Sequence, residues 1–154
     1  MDRATIEAFL GGQHLLVLGI NRGAREPFLA PVWFEYTGGR FLIWSDVPTA
    51  KTRLIDRNAA VTLSIHGETR PYQAVLVRGR AAVRIGRDEA LIRRLARRYL
   101  GADAGDAYAD AAISGDSARS QGTIEVTPTA WRAWDYGEDG NADRVAWIAD
   151  GALR

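Results

Sequence analysis

The 154-residue sequence contains no cysteine, one lysine and two histidines. Without cysteine, neither a disulfide framework nor a thiolate metal site can form. His14 and His66 are far apart, and neither has an acidic neighbour at the spacing of metal ligands. The net charge of +1 provides no overall field that would attract nucleic acid or a membrane surface. We therefore expect no metal site and no nucleic-acid partner.

Long apolar runs are also missing. No segment approaches the roughly 20 apolar residues that cross a membrane, and Asp2, Arg3 and Glu7 interrupt any signal-peptide pattern at the N-terminus. We therefore expect a cytoplasmic protein without a membrane partner. The length and the hydrophobic content of 47% predict one domain over residues 1–154 with an ordinary core.

The hydrophobic pattern predicts mainly strands. Alternating or short apolar runs bounded by Gly, Pro and Asn indicate six strands, at residues 14–20, 27–36, 40–44, 60–65, 72–85 and 122–135. Periodic patterns with caps indicate helices at 2–10, 50–57 and 88–100. Because strands and helices do not alternate regularly, a doubly wound parallel sheet is disfavoured. The sequence predicts a mainly antiparallel β-barrel with helical insertions.

Three further regions give weaker patterns. Residues 102–121 are rich in Ala and Asp and predict a loosely held segment, with one weak helix around 106–113. Residues 145–148 predict either a short strand or a packed tail. Four arginines on one face of the helix at 88–100 predict a solvated surface, neutralised by the aspartates that follow, or part of a dimer contact: Arg93, Arg94, Arg97 and Arg98.

Residues 30–57 carry the clearest candidate for chemistry. They predict strand, Gly-Gly turn, strand, and then a polar loop that opens a short helix. A phosphate is held by hydroxyls, cations and the N–H groups of a helix N-terminus, and these groups are concentrated here: Ser45, Thr49, Lys51, Thr52 and Arg53. Lys51 is the single lysine in a chain that otherwise uses arginine. The alternative is a solvated first turn that Thr49 simply caps.

Three stretches, read in order, carry a resemblance to a known family: PVWFEY, FLIWSDVPTAKTRLIDRNAAVTLSI and PYQAVLVRGRA. Together they resemble the split-barrel flavin-binding proteins related to pyridoxamine 5′-phosphate oxidase. The AKTR segment is most similar to the flavin/deazaflavin oxidoreductases of that superfamily. The resemblance implies a six-stranded antiparallel split barrel that forms a homodimer, with FMN or the deazaflavin coenzyme F-420 at the interface.

The resemblance also implies roles for individual residues. Lys51 and Thr52 would hold the cofactor phosphate, whereas Thr49 stands where relatives often carry a second cation, which Arg53 could replace. The cofactor ring and its chain would lie along the remaining candidates: Pro31, Val32, Trp33, Trp44, Ser45, Trp131 and, from the second subunit, Gln73. For a tail of glutamates, as F-420 has, the candidates are Arg53, Arg57, Arg78 and Arg80.

The resemblance implies hydride transfer to or from a small organic substrate. The chain lacks the Arg-rich C-terminal pattern of true pyridoxamine 5′-phosphate oxidases, so that specific activity is not expected. Two alternatives stay open at this point. One is a flavin-binding carrier or redox sensor without dedicated catalysis, and the other is a haem-handling relative, which the two histidines make less attractive.

Overall fold

The computed structural model describes residues 1–115 and 120–137, and the backbone of 143–149. The elements, in chain order, are α1 (Arg3–Gly11), β1 (Leu16–Arg22), β2 (Arg25–Val32), β3 (Glu35–Thr37), β4 (Arg40–Val47), α2 (Ala50–Arg57), β5 (Ala60–His66), β6 (Gln73–Ile85), α3 (Glu89–Leu100), α4 (Ala102–Ser114), β7 (Ser120–Asp135) and β8 (Asp143–Ala149). Among these residues, no helix is long and apolar enough to cross a membrane.

All strands belong to one antiparallel sheet, which curls into a barrel. Its order is β2-β1-β5-β6-β7-β4-β3, and β8 pairs with β7. The two ends of this path, β2 and β3, are separated in sequence only by Trp33 and Phe34. Since successive Cα atoms are 3.8 Å apart, the edges of the sheet lie within about 11 Å of each other. The predicted fold class is therefore confirmed.

The strand count differs from the six predicted. The sequence predicts one strand at 27–36, but the crossover at Trp33 and Phe34 divides this segment into β2 and β3. The segment at 145–148 forms part of β8 rather than a tail. Pro31, which cannot donate a ladder hydrogen bond, lies in the edge strand β2, as its chemistry requires.

Apolar side chains fill the barrel at alternate positions of β1, β4, β5 and β6. In β1, Leu16, Leu18 and Ile20 are fully buried, and the facing residues of β5 and β6 follow the same period. Helix α1, which Asp2 caps through the Thr5 N–H at 2.8 Å, contributes Ile6 and other apolar residues to the same core. Helix α2 contacts β1 and β6, so it lies against the wall of the barrel.

Helices α3 and α4 form a tight hairpin, so residues 102–114 are better held than the sequence indicates. A single residue, Gly101, joins the two helices, and α4 is longer than the weak helix predicted at 106–113. The sequence indicates only part of this helix, because alanine and glycine have side chains too small to give a clear apolar periodicity. Their small size is what allows the two backbones to approach: Gly105 is buried against the backbone of Arg97.

Ion pairs fix the hairpin in place. Arg93 and Arg97 both reach the carboxylate of Asp106, and Arg93 also reaches Asp110 at 2.6 Å. Arg94 binds Glu35 of β3 through two N–H groups at 2.7 and 3.0 Å. The predicted neutralisation by aspartates is confirmed for Arg93 and Arg97, but the arginine face connects elements within the chain instead of facing solvent alone.

The Gly105→Ala substitution should destabilise the fold. A Cβ at Gly105 would stand 2.6 Å from the Cα of Arg97, so the hairpin would have to open. We expect the free energy of unfolding to fall by roughly 1–3 kcal/mol, measured by urea denaturation. The matched control is Gly11→Ala, also in a helix but with nothing within 4 Å of its Cβ. That variant should be as stable as the original chain or slightly more stable. Equal effects of the two substitutions would contradict the role of Gly105 in the hairpin.

Candidate functional site

The connection from β4 to α2 presents the helix N-terminus at the end of a strand. Thr49 caps the helix: its N–H donates to Thr52 Oγ1 at 2.8 Å, and the N–H of Thr52 donates to Thr49 Oγ1 at 3.4 Å. Thr52 is fully buried, and its hydroxyl also donates to the Thr49 carbonyl at 3.1 Å. Both hydroxyls are therefore occupied by the cap. The predicted contact of Thr52 with a phosphate is not supported by this geometry.

Lys51 lies in the first turn of α2 and is half-buried. Within the described residues its ammonium has no hydrogen bond or close ion pair; the charge of Asp46 is its nearest electrostatic influence. Burial lowers the pKa of Lys51, and Asp46 partly opposes that shift. A partly desolvated cation beside the unpaired N–H groups of a helix N-terminus is suited to an anion such as phosphate.

Arg53 lies on a different side of α2. It follows Lys51 by two residues, and residues two apart point to nearly opposite sides of a helix. Arg53 is exposed and lines surface grooves that Lys51 does not reach. The interpretation in which Arg53 replaces a missing second cation beside Lys51 therefore gains no support from the structure.

Trp33 and Trp44 are brought together by the helical hairpin. The ring of Trp33 stacks on Tyr99 of α3, with centroids 5.0 Å apart and planes 3° from parallel. Tyr108 of α4 contacts both tryptophans, at 5.5 Å from Trp33 and 6.2 Å from Trp44. The indole N–H of Trp44 is buried without a partner among the described residues. These aromatic rings join the hairpin to the barrel, a role that the sequence does not indicate.

Two candidates for the cofactor ring are inside the protein. Trp131 has no exposed surface and packs against Phe41 and Tyr36, with centroids 5.6 and 5.7 Å apart. Ser45 is 4% exposed, and its hydroxyl donates to the carbonyl of Asp46 at 2.7 Å. The expectation that Trp131 lines a ligand pocket is wrong, because its position in β7 faces the barrel interior. Ser45 faces the same way.

The remaining candidates are separated in space. Pro31 is exposed on the edge strand and Val32 is half-buried behind it. Gln73 donates its amide N–H to Asp135 at 2.7 Å, at the far end of β7. Trp44 pairs with Thr123 of the same strand; this lies twelve residues from Asp135, or about 40 Å of strand. Gln73 of one chain therefore lies well away from Trp44 of the same chain.

Sequence reasoning missed several residues around this site. Tyr99 and Tyr108 stand in two different helices, and no periodicity connects them with Trp33. Asp46 offers a usable signal, since it is a carboxylate five residues before the only lysine. Arg22 at the end of β1 and Arg25 at the start of β2 line a groove with Arg53; in the sequence they look like ordinary strand ends.

The sheet path and the helical insertions define the class of the split β-barrels. The family model for pyridoxamine 5′-phosphate oxidase matches residues 2–130. The chain belongs to this family.

Solved structures of the same fold include an F420 reductase, 26% identical, with a TM-score of 0.61 over 81% of this chain and 94% of that one. A pyridoxamine 5′-phosphate oxidase-related, FMN-binding protein from Nostoc punctiforme is 12% identical, with a TM-score of 0.63 over 96% and 95%. A heme-binding protein from Mycobacterium smegmatis is 16% identical, with a TM-score of 0.63 over 97% of this chain and 59% of that one. No curated protein matches the chain.

Lys51 should titrate below an ordinary lysine. Since it is the only lysine, protein labelled with ¹³C at lysine Cε gives one side-chain NMR signal, and its pH titration reports this pKa alone. We expect a midpoint below the value of about 10.4 for a free lysine. Asp46→Asn should lower it further, because Asp46 raises the pKa of Lys51. A midpoint at the free value would show that the ammonium is fully solvated, and one above it would show that a counter-charge outweighs burial; either result would contradict this prediction.

Proposed function

We propose that this protein is an oxidoreductase that uses FMN or coenzyme F-420, whose phosphate binds at Lys51. The observation that carries the proposal is the half-buried, unpartnered ammonium at the N-terminus of α2, in a chain of a family whose relatives include an FMN-binding protein and an F420 reductase. A desolvated cation without a counter-charge is unfavourable. A bound phosphate would remove that cost.

The described residues supply groups that can bind the cofactor phosphate, but they do not form a complete site for the cofactor ring. Lys51 and the free N–H groups of the first turn supply one cation and two donors. The cap occupies the hydroxyls of Thr49 and Thr52. For the ring, Pro31, Val32 and Trp33 of the edge strand and the crossover are the accessible candidates. Ser45 and Trp131 are buried, so the other side of the site has to come from elsewhere.

A bound flavin or deazaflavin would supply hydride transfer at its central ring. The chain's own contribution is then binding and orientation. Lys51 would bind the phosphate of the cofactor, and the backbone beside Pro31 and Trp33 would contact its ring. Gln73 of the partner subunit would complete the site, since within one chain it lies far from Trp44. The substrate would be a small organic molecule, and pyridoxamine 5′-phosphate oxidase activity itself is not part of the proposal.

Dimerisation is supported by the outer face of the sheet. Register places Leu29, Gly19 and Thr62 in one cross-strand row, and Pro31, Val17 and Ser64 in the next. Leu29 is 62% exposed, and the face forms a depression of about 850 Å³. Small and apolar residues form much of this face, with Arg25, Arg78 and Arg80 also lining the depression, and such a face is suited to a second copy of the same chain. We propose that the homodimer forms here.

Replacing Lys51 should weaken the cofactor. We expect Lys51→Ala to reduce the affinity for FMN or F-420 by roughly 1.5–3 kcal/mol, the contribution of a charged hydrogen bond. The measurement is a fluorescence titration of each cofactor. Arg53→Ala is the matched control for FMN, which has no tail of glutamates: it removes a cation two residues away on a different side of α2, and it should leave the affinity for FMN unchanged. Failure of both cofactors to bind in the micromolar range would contradict the proposal. Binding without turnover of any acceptor would favour the carrier or sensor.

A charge on the outer face should separate the dimer. We expect the original chain to sediment as a dimer and Leu29→Arg as a monomer, because an arginine in an apolar interface would be buried without a partner. Ile85→Arg is the control, since Ile85 is also 62% exposed but does not line the depression; this variant should stay dimeric. A monomeric original chain, or equal dissociation of both variants, would refute this interface.

A further inference from the structure

A depression lies at one end of the barrel, between α1 and the connection that joins β5 to β6. Its volume is about 390 Å³. Phe9 and Pro71 give it an apolar wall, and His14, Thr69 and Arg70 give it polar groups. None of the described residues that line it carries a carboxylate. The depression therefore combines apolar surface with a permanent cation and a titratable base.

The imidazole of His14 is fixed in position but has no hydrogen bond. The backbone N–H of His14 donates to the Gly12 carbonyl at 3.2 Å, and its carbonyl accepts from the Tyr99 hydroxyl at 2.6 Å. The ring stacks on Phe9, with centroids 4.2 Å apart and planes 24° from parallel. Among the described residues neither ring nitrogen has a hydrogen-bond partner. Both nitrogens are therefore available to a ligand.

Positive charge surrounds the ring of His14. Burial lowers the pKa of His14, and the charges of Arg98 on α3 and of His66 on β5 lower it further. Arg98 is held beside the ring because its guanidinium donates to the carbonyls of Leu10 and Gly12. An anion next to the imidazole would act in the opposite direction and favour its protonated form.

The carboxylates of the surrounding elements do not compensate this charge. Asp2 caps α1, Glu7 forms an ion pair within α1, Glu68 is exposed and does not line the depression, and Asp135 accepts a hydrogen bond from β6. None of them is among the charges that shift the pKa of His14. An anion bound beside the ring would therefore meet a site that no described carboxylate has already neutralised.

Within one chain the depression is far from the Lys51 site. The strand that leads to Lys51 ends at Val47, which pairs with Ser120 at the start of β7. Gln73, which lines the depression, pairs with Asp135 at the other end of β7 and donates its amide N–H to that carboxylate at 2.7 Å. The two ends are about 50 Å apart along the strand. A phosphate at Lys51 therefore leaves this depression unoccupied.

We propose that this depression binds a small organic carboxylate between Arg70 and His14, and that His14 takes up a proton from solvent when the carboxylate binds. Across the described residues Arg70 has no ion pair, so its guanidinium can hold the carboxylate in bidentate contact. The protonated imidazole would add a second charge-assisted hydrogen bond. Phe9 and Pro71 would contact the carbon skeleton. Only one permanent cation lines the site, which matches a monoanion better than a phosphate dianion.

Histidine NMR of the full chain tests this site directly. The chain has two histidines, so protein labelled with ¹³C at histidine Cε1 gives two signals, and His66→Gln identifies that of His14. The probe is benzoate, with the uncharged benzamide as its isostere. We expect benzoate, but not benzamide, to raise the titration midpoint of His14. Benzoate should also bind about tenfold more tightly at pH 5.5 than at pH 8, the contribution of one charged hydrogen bond.

Three variants show which groups hold the carboxylate. Arg70→Gln should weaken benzoate binding about tenfold. Its matched control is Arg84→Gln, which removes an equal charge from an exposed position outside the depression and should stay within about twofold of the original chain. His14→Gln should bind benzoate with the same affinity at both pH values, because the group that takes up the proton is gone.

Several results would overturn the proposal. These are no binding of benzoate, equal binding of benzamide, an unchanged midpoint of His14 in saturating benzoate, or equal weakening by Arg70→Gln and Arg84→Gln. Phenyl phosphate that binds more tightly than benzoate at pH 8, where it is a dianion, would overturn the assignment to a monoanion. Lys51→Ala should retain benzoate binding, and its loss in that variant would place the carboxylate at the Lys51 site instead.

Discussion

The closure of the sheet through Trp33 and Phe34 is the constraint on which the rest of the structure depends. Two residues connect the first and last strands of the hydrogen-bonded path, so the sheet has to curl until its edges meet. At the crossover the strand ladder is interrupted, and Tyr99 takes its place: the N–H of Phe34 donates to the Tyr99 hydroxyl at 3.3 Å, which donates to the His14 carbonyl at 2.6 Å. Trp33 stacks on the same tyrosine. The helical hairpin is therefore part of how the barrel closes.

The cations on different sides of helix α2 stand in two different electrostatic environments. On one side Lys51 is half-buried near Asp46. On the other, Arg53 and Arg57 face the β1–β2 turn. A helix of eight residues is about 12 Å long, so the two environments are close together, yet the angular separation of side chains keeps them apart. The capping box fixes where the helix starts and hence which side each cation takes. The cap thus sets the direction of the neighbouring side chains.

The fold is largely predictable from the sequence, and the site is not. Strands with alternating apolar residues, such as β1 and β5, and helices with side-chain caps, such as α3 with Asp88, are indicated by local patterns. Helix α4 is not, because it is held by a backbone contact at Gly105 and by ion pairs across the hairpin. The direction of the Trp131 side chain depends on strand register, and that of Thr52 depends on the helix cap. Neither can be read from the local sequence pattern. Aromatic and hydroxyl residues near a lone lysine therefore resemble ligands in the sequence, although in the structure they serve the core and the cap.

Among the described residues no second cation stands beside Lys51, and this explains why a lysine suits the position. Thr49 is committed to the cap and Arg53 points elsewhere, so in the proposed site the ammonium would meet a phosphate with only backbone donors to assist. Without a phosphate, only the charge of Asp46 partly offsets its burial. A lysine reduces that cost because its pKa can fall, whereas an arginine stays charged at any physiological pH and would have to turn outward to solvent. The arginines of the α3 face and of the α2 groove are found where their charge is either paired or exposed. In the proposed site, the half-buried Lys51 would therefore be the cation whose charge adjusts when a phosphate binds.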